Sequence, residues 1–417
     1  MSARPHHAVV LSGGGANGAY EVGVLKALFN GKCKDIGPFE PSLFFGTSVG
    51  SYNASFLVSQ WDEFGPAAIA NLERAWLEVL AGNAARNGVY RFRGDPGYFL
   101  DPTAYIPNPL RPFIELGRDS AFLTWEGIQR AVYLATGQTT GQSPGQGEEA
   151  LRERFANLFD FSALISSAPW ARTIRETINF PSIRRTGETR KLQIFATNWT
   201  TGRVRAFGNR DMTDHLGPLA IQASSAVPGV IPSVSVGAEP YVDGSVLLNT
   251  PLHPALDAGA DVLYVVYLDP DIASIPFSSL ESTVATSYRM QTIAWAALVN
   301  REIARARRIN RGLAVFDRLQ RGEAVPELEL EQLGSGAVLV LGGLKPVFQN
   351  YRPVTIHRFH PREELGGGAL GLLNLDRDHI EDLIYKGFTD AALHNCYLEG
   401  CIIPGVETLE TEAPDFS

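Results

Sequence analysis

Short apolar runs that end in glycine-rich breaks organise the first part of the chain. Val9-Val10-Leu11 leads into Ser12-Gly13-Gly14-Gly15-Ala16-Asn17-Gly18, and a helical pattern follows at once from Ala19 to Leu28. Leu43-Phe44-Phe45 leads in the same way into Gly46-Thr47-Ser48-Val49-Gly50. Strand, glycine loop, helix, strand, sharp turn and helix are therefore predicted from about His7 to Gln60. Ile69, Leu72, Trp76 and Leu80 then recur at helical spacing within Ala67–Leu80.

The pattern breaks between residues 83 and 150. Pro96, Pro102, Pro107, Pro109 and Pro112 crowd together with Tyr90, Phe92, Tyr98, Phe99, Tyr105, Phe113, Phe122 and Trp125. So many aromatics have to be buried against something. Two readings stand side by side: an aromatic-lined cap over a substrate pocket, or an insertion whose aromatics form only its own small core. The polar, glycine- and glutamine-rich string from Gly137 to Gly147 reads as a loop.

Strand patterns resume with Lys191–Thr197, Arg203–Phe207 and Tyr241–Asp243. Asp261–Leu268 is nearly all apolar, as a parallel strand covered on both faces would be. Strands alternating with helices predict an α/β fold, a three-layer α/β/α sandwich around a mostly parallel sheet. The chain divides into a first core half (1–82), an insertion (83–170), a second core half (171–275), a C-terminal helical region (276–406) and a disordered tail (407–417). Residues from about Leu280 to Arg311 read as helix and carry Arg301, Arg305, Arg307, Arg308 and Arg311, by default a solvated face. Contact of these arginines with anionic lipid headgroups or a partner is the alternative. Ile356–Pro361 alternates as a strand does.

Composition narrows the function. A net charge of −9 over 417 residues argues against a nucleic-acid partner, which needs a basic surface. The start, Met1-Ser2-Ala3-Arg4-Pro5-His6-His7, has no apolar signal core. No apolar stretch approaches the ~18–20 residues of a membrane-spanning helix. Cytoplasmic residence is the expectation, with any membrane contact peripheral. Cys33, Cys396 and Cys401 do not make a disulfide framework. His394, Cys396 and Cys401 lack a fourth ligand at zinc spacing, so no metal and no cofactor are expected.

The chemistry-bearing residues sit at the breaks. A serine hydroxyl becomes a useful nucleophile when a sharp strand-to-helix turn exposes it, and Gly46 and Gly50 leave room for that turn around Ser48. The bare N–H groups of Gly13, Gly14 and Gly15 at a helix start form an anion site. In acyl transfer the anion is the tetrahedral oxyanion, and one lost donor costs roughly 3–4 kcal/mol of barrier. Asp243 ends a short strand, and Gly244 lets the chain turn so that its carboxylate can reach another loop. The Gly13-x-Gly15-x-x-Gly18 spacing also fits a dinucleotide fingerprint. That site needs a second strand ending in an acid about 20 residues on, and no apolar run precedes Asp35. A Ser-His-Asp hydrolase would need a late histidine, and His253, His357, His360, His379 and His394 all lack a glycine-rich loop context.

Taken together, Gly13-Gly14-Gly15, Gly46-Thr47-Ser48-Val49-Gly50 and Asp243-Gly244-Ser245 resemble the patatin-like phospholipases. Phe195-Ala196-Thr197-Asn198, Ala220–Pro228 and Asn249-Thr250-Pro251 sit where that family has similar strings, and the resemblance is good over about 7–62 and 190–270. It implies a Ser48–Asp243 dyad working without histidine, an oxyanion hole in the glycine loop, and a phospholipid, lysophospholipid or other acyl ester as substrate. Asn17 stands where the family usually has a basic residue, and Ser245 where it usually has Gly or Ala. A soluble carboxylesterase that never meets a membrane, and a non-catalytic binding protein of the same fold, are the alternatives.

Overall fold

The computed structural model describes residues 5–83, 87–92, 165–268, 283–324, 352–363, 365 and 371–406. In chain order the first core half runs β1 (His7–Leu11), α1 (Gly18–Phe29), β2 (Leu43–Thr47), α2 (Val49–Phe64) and α3 (Ala68–Ala75). The predicted helix through Leu80 finishes as a single π turn, Trp76–Leu80. β3 (Arg91–Phe92) pairs antiparallel with β4 (Ile165–Ser166). The aromatic-rich segment between them, the glycine- and glutamine-rich string and the tail from residue 407 lie outside the described residues.

The second half continues with α4 (Ala168–Thr177), α5 (Phe180–Arg185), β5 (Lys191–Asn198), β6 (Arg203–Gly208) and α6 (Leu216–Ser224). β7 (Val234–Val236), β8 (Glu239–Asp243), α7 (Leu252–Asp257) and β9 (Val262–Val266) follow. The C-terminal region holds α8 (Thr283–Gln320), β10 (Thr355–Phe359) and α9 (Arg377–Ala392). It is not helical throughout, since β10 joins the main sheet as its edge.

The sheet runs β10-β9-β1-β2-β5-β8-β7, with β6 also paired to β5. β10, β9, β1, β2 and β5 are parallel, β6 and β8 each pair antiparallel with β5, and β7 pairs antiparallel with β8. Alternation along the strands divides the core between two faces, because successive strand side chains point opposite ways. Val9, Leu11, Phe44, Leu192 and Ile194 pack with residues of α1, α2, α3 and α9. Ala8, Val10, Leu43, Phe45 and Phe195 pack on the other face with Leu252 and Ala255 of α7 and Val299, Ile303 and Ala306 of α8. This is the α/β/α sandwich.

One detail of register positions the site. β2 pairs with the first part of β5, Thr47 opposite Phe195, and β8 pairs antiparallel with the remainder, Asp243 opposite Ala196. β6 occupies the other edge of β5 along both stretches. β2 and β8 therefore share one edge of β5 and meet end to end, which brings the residue after Thr47 up to Asp243.

Candidate active site

Ser48 follows β2 directly and caps the N-terminus of α2. Its φ of 53° makes it the only non-glycine residue with positive φ among the described residues. Such a conformation costs on the order of 1–3 kcal/mol and persists only where the surroundings impose it. The flanking glycines show how. A Cβ on Gly46 would lie 2.2 Å from the carbonyl oxygen of Gly50, and one on Gly50 would lie 2.6 Å from that of Leu11. Ser224 clamps the turn: its hydroxyl donates to the Phe195 carbonyl at 2.6 Å and accepts the Ser48 N–H at 2.9 Å. Thr47 Oγ1 donates to the Leu248 carbonyl, and Ser51 Oγ to that of Ser48.

The Ser48 hydroxyl donates to Oδ2 of Asp243 at 2.7 Å. Asp243 is fully buried, and its Oδ1 accepts the Ser245 N–H at 2.8 Å. Burial pushes the Asp243 carboxyl up to about 6, although the bonds from Ser245 and Ser48 pull the other way. Gly244 is required at the turn, since a Cβ there would meet the Phe195 carbonyl oxygen at 2.3 Å. None of the eight histidines bonds to Ser48 or Asp243. His253 lies on α7 beside Asp257, with its backbone N–H on Glu302. His360 pairs with Glu399, while His357 and His394 lie against the C-terminal cysteines.

The glycine loop passes directly over Ser48. A Cβ on Gly13 would stand 2.9 Å from the Cβ of Ser48. The Gly13 N–H is already donated to Asn249, at 3.1 Å to Oδ1 and 3.3 Å to the carbonyl oxygen. It is thus not a bare donor as its glycine neighbours implied. Asn249 was legible only as part of a string and carried no signal for this contact. The N–H groups of Gly14 and Gly15 make no hydrogen bond among the described residues. Gly15 has a φ of 56°, and a Cβ there would sit 2.4 Å from the Leu372 carbonyl oxygen. Gly18 lets α1 approach Val49 at the start of α2. Asn17 is buried at the α1 cap, and its Oδ1 has no hydrogen-bond partner.

Behind the loop lies a polar network that the sequence pattern did not reveal. Trp76 Nε1 donates to Asn53 Oδ1, and Asn53 Nδ2 donates to both the Gly18 carbonyl and Glu21 Oε2. Glu21 is fully buried, and desolvation raises its carboxyl well above the ordinary carboxylate range. From the other side, Trp295 of α8 donates its indole N–H to the Ser245 carbonyl at 2.6 Å.

The model of the family described as patatin-like phospholipase matches residues 9–256, more than half of the chain, and takes in the glycine loop, Ser48 and Asp243. The chain belongs to the patatin-like phospholipase family. Lipid acyl hydrolysis is the general chemistry that membership carries. No curated protein matches the chain. Among solved structures it is similar to VipD from Legionella pneumophila, at 16% identity over 92% of this chain and 67% of that one, with a TM-score of 0.33. Among the described residues no helix is long and apolar enough to cross a membrane.

Proposed function

We propose that this patatin-like protein is a serine lipid acyl hydrolase of the phospholipase A or lysophospholipase type, with Ser48 as nucleophile and Asp243 as its base. The 2.7 Å bond from the Ser48 hydroxyl to a buried carboxylate carries the reading. A carboxylate in water is too weak a base for this task. Burial that moves its pKa toward the working pH makes it a better one.

As Ser48 Oγ attacks the ester carbonyl carbon, its proton passes to Asp243 Oδ2. The N–H groups of Gly14 and Gly15 face the developing oxyanion, while Asn249 anchors the loop through Gly13. Collapse of the tetrahedral species breaks the C–O bond, and the departing alkoxide takes the proton from Asp243. A water then gives its proton to the same carboxylate as its oxygen attacks the acyl-Ser48 ester, and the fatty acid leaves as the proton returns to Ser48.

The test is hydrolysis of a medium-chain p-nitrophenyl ester and of phospholipid vesicles by wild type, Ser48→Ala, Asp243→Asn and His253→Ala. Loss of both activities in the first two variants, with His253→Ala active, is the expected result. Full activity in Asp243→Asn would remove the dyad. The buried, uncharged Asn17 favours a second reading, a carboxylesterase acting on dispersed esters. Turnover that does not rise when the substrate is presented in vesicles would select it.

A further inference from the structure

His394, Cys396 and Cys401 follow α9 in one short segment, and β10 brings a fourth donor to them from 37 residues before His394. The expectation of no metal rested on the missing fourth ligand. His357 supplies it through strand pairing, not through sequence spacing. Nδ1 of His357 lies 3.4 Å from Cys396 Sγ. Nε2 of His394 lies 3.5 Å from Cys396 Sγ and 3.4 Å from Cys401 Sγ. All four donor atoms fall within 4.8 Å of one another. Tetrahedral zinc with bonds of ~2.3 Å to sulfur and ~2.0–2.1 Å to nitrogen puts neighbouring S and N atoms ~3.5 Å apart. The three contacts match that edge.

We propose that His357, His394, Cys396 and Cys401 form a structural zinc site that fastens the C-terminal segment to the edge of the central sheet. Two thiolates and two neutral imidazoles balance the charge of Zn²⁺, so the closed site is neutral overall and can be buried, as all four residues are. Binding converts two thiols to thiolates and releases two protons. A set of two sulfur and two nitrogen donors selects zinc over the hard cations.

The surroundings are those of a positioned ligand set. The Arg358 N–H donates to Cys401 Sγ at 3.3 Å, the kind of bond that orients a thiolate. Asp35 accepts the Cys396 N–H at 3.1 Å, and the Cys401 N–H closes back on the Cys396 carbonyl at 3.0 Å. The His357 ring stacks on Tyr264 and that of His394 on Phe359. β10 is an edge strand, and Ile356 and Ile402 already exchange backbone hydrogen bonds beside the cluster. A metal here would lock that pairing. With four protein donors no coordination position is left for substrate, so the role is structural.

The full-length protein, purified without metal-affinity resin and dialysed against metal-free buffer, is analysed for metal by mass spectrometry. Wild type and Cys33→Ser should each carry close to one zinc per chain, and Cys396→Ser/Cys401→Ser below about 0.1. After chelation, cobalt(II) added to wild type should give tetrahedral ligand-field bands and a thiolate charge-transfer band, and His357→Gln should weaken both. Chelator should lower the Tm of wild type. If the double variant does not fold, chelation and cobalt titration of wild type still decide. A folded wild type that holds no zinc and gives no cobalt spectrum overturns the proposal, as does a Cys396–Cys401 disulfide found by thiol counting. Ester hydrolysis by such a metal-free protein would leave the Ser48–Asp243 reading untouched.

Discussion

Thr47 and Asp243 end opposing strands against consecutive residues, Phe195 and Ala196, of one edge of β5. The hydroxyl that follows Thr47 is thereby delivered to a carboxylate shielded from water, whose pKa burial raises to about 6. A base works only when ionised. Activity should therefore be lost as pH falls through about 6, with kcat/KM reporting the free enzyme. An acid limb near the ordinary carboxylate value of ~4 would show that Asp243 is not the group titrating.

The same shift has a cost in stability. Below pH ~4 the carboxyl is protonated in the folded and unfolded chain alike, and burial carries no ionic penalty. As pH rises from about 4 to about 6 the unfolded chain ionises first. Stability present at low pH is lost across that window and the deficit then stays constant. Asp243→Asn cannot titrate, so it should be more stable than wild type at pH 8 by on the order of 2 kcal/mol and close to equal at pH 4. Urea unfolding of both proteins at the two pH values measures this. A gap that does not change with pH would contradict it.

Gly46 tests the turn itself. An added Cβ would collide with backbone, the Gly50 carbonyl oxygen, and no side chain can move aside to relieve it. Gly46→Ala should unfold at a lower denaturant midpoint, by roughly 2–4 kcal/mol, and lose ester hydrolysis. Gly14→Ala is the contrast, because its Cβ would meet the Leu268 side chain. That side chain can shift, so Gly14→Ala should lose rate with little change in the midpoint. Equal stability of the two variants would mean the turn is looser than its geometry.

Glu21 separates charge from shape. Its buried carboxyl, with a raised pKa, accepts from Asn53, which in turn holds Trp76 and the first carbonyl of α1. Glutamine reproduces the neutral acid, so Glu21→Gln should stay within about 0.5 kcal/mol of wild type and keep its turnover. Glu21→Leu strands the Asn53 donor and should cost roughly 1–3 kcal/mol. If glutamine were as damaging as leucine, the carboxylate charge itself would be needed.

The local signals were legible and the long-range ones were not. An apolar run cut by glycines marks β1, β2 and both loops, because turn chemistry is written in the residues at the turn. Asp243 could be singled out only through its neighbours Gly244 and Ser245 and the family resemblance. What brings it to Ser48 is the division of one β5 edge between β2 and β8, and register between distant strands leaves no local trace. Asn249 on the Gly13 N–H and His357 beside Cys396 escaped for the same reason. β10 alternates as a strand should, yet nothing in Ile356–Pro361 says that it pairs with β9.

Helix α8 offers the last test, on where substrate comes from. Met290, Ile293 and Leu298 are exposed on it, and Arg301, Arg305 and Arg308 continue the exposed positions toward its C-terminal half. Their spacing of three to five residues keeps them on one side of the helix. Trp295, between the apolar positions, holds the Ser245 carbonyl two residues from Asp243. An apolar strip followed by cations is suited to an anionic lipid surface, with the side chains in the acyl boundary and the guanidinium groups on phosphates. Binding to anionic vesicles should weaken with salt. Arg301→Gln/Arg305→Gln/Arg308→Gln should abolish that salt dependence. Met290→Ser/Ile293→Ser/Leu298→Ser should reduce vesicle hydrolysis about tenfold or more and leave p-nitrophenyl ester hydrolysis unchanged. Vesicle hydrolysis that survives both sets of changes would place lipid contact elsewhere, and if wild type gains nothing from vesicles the dispersed-ester reading prevails.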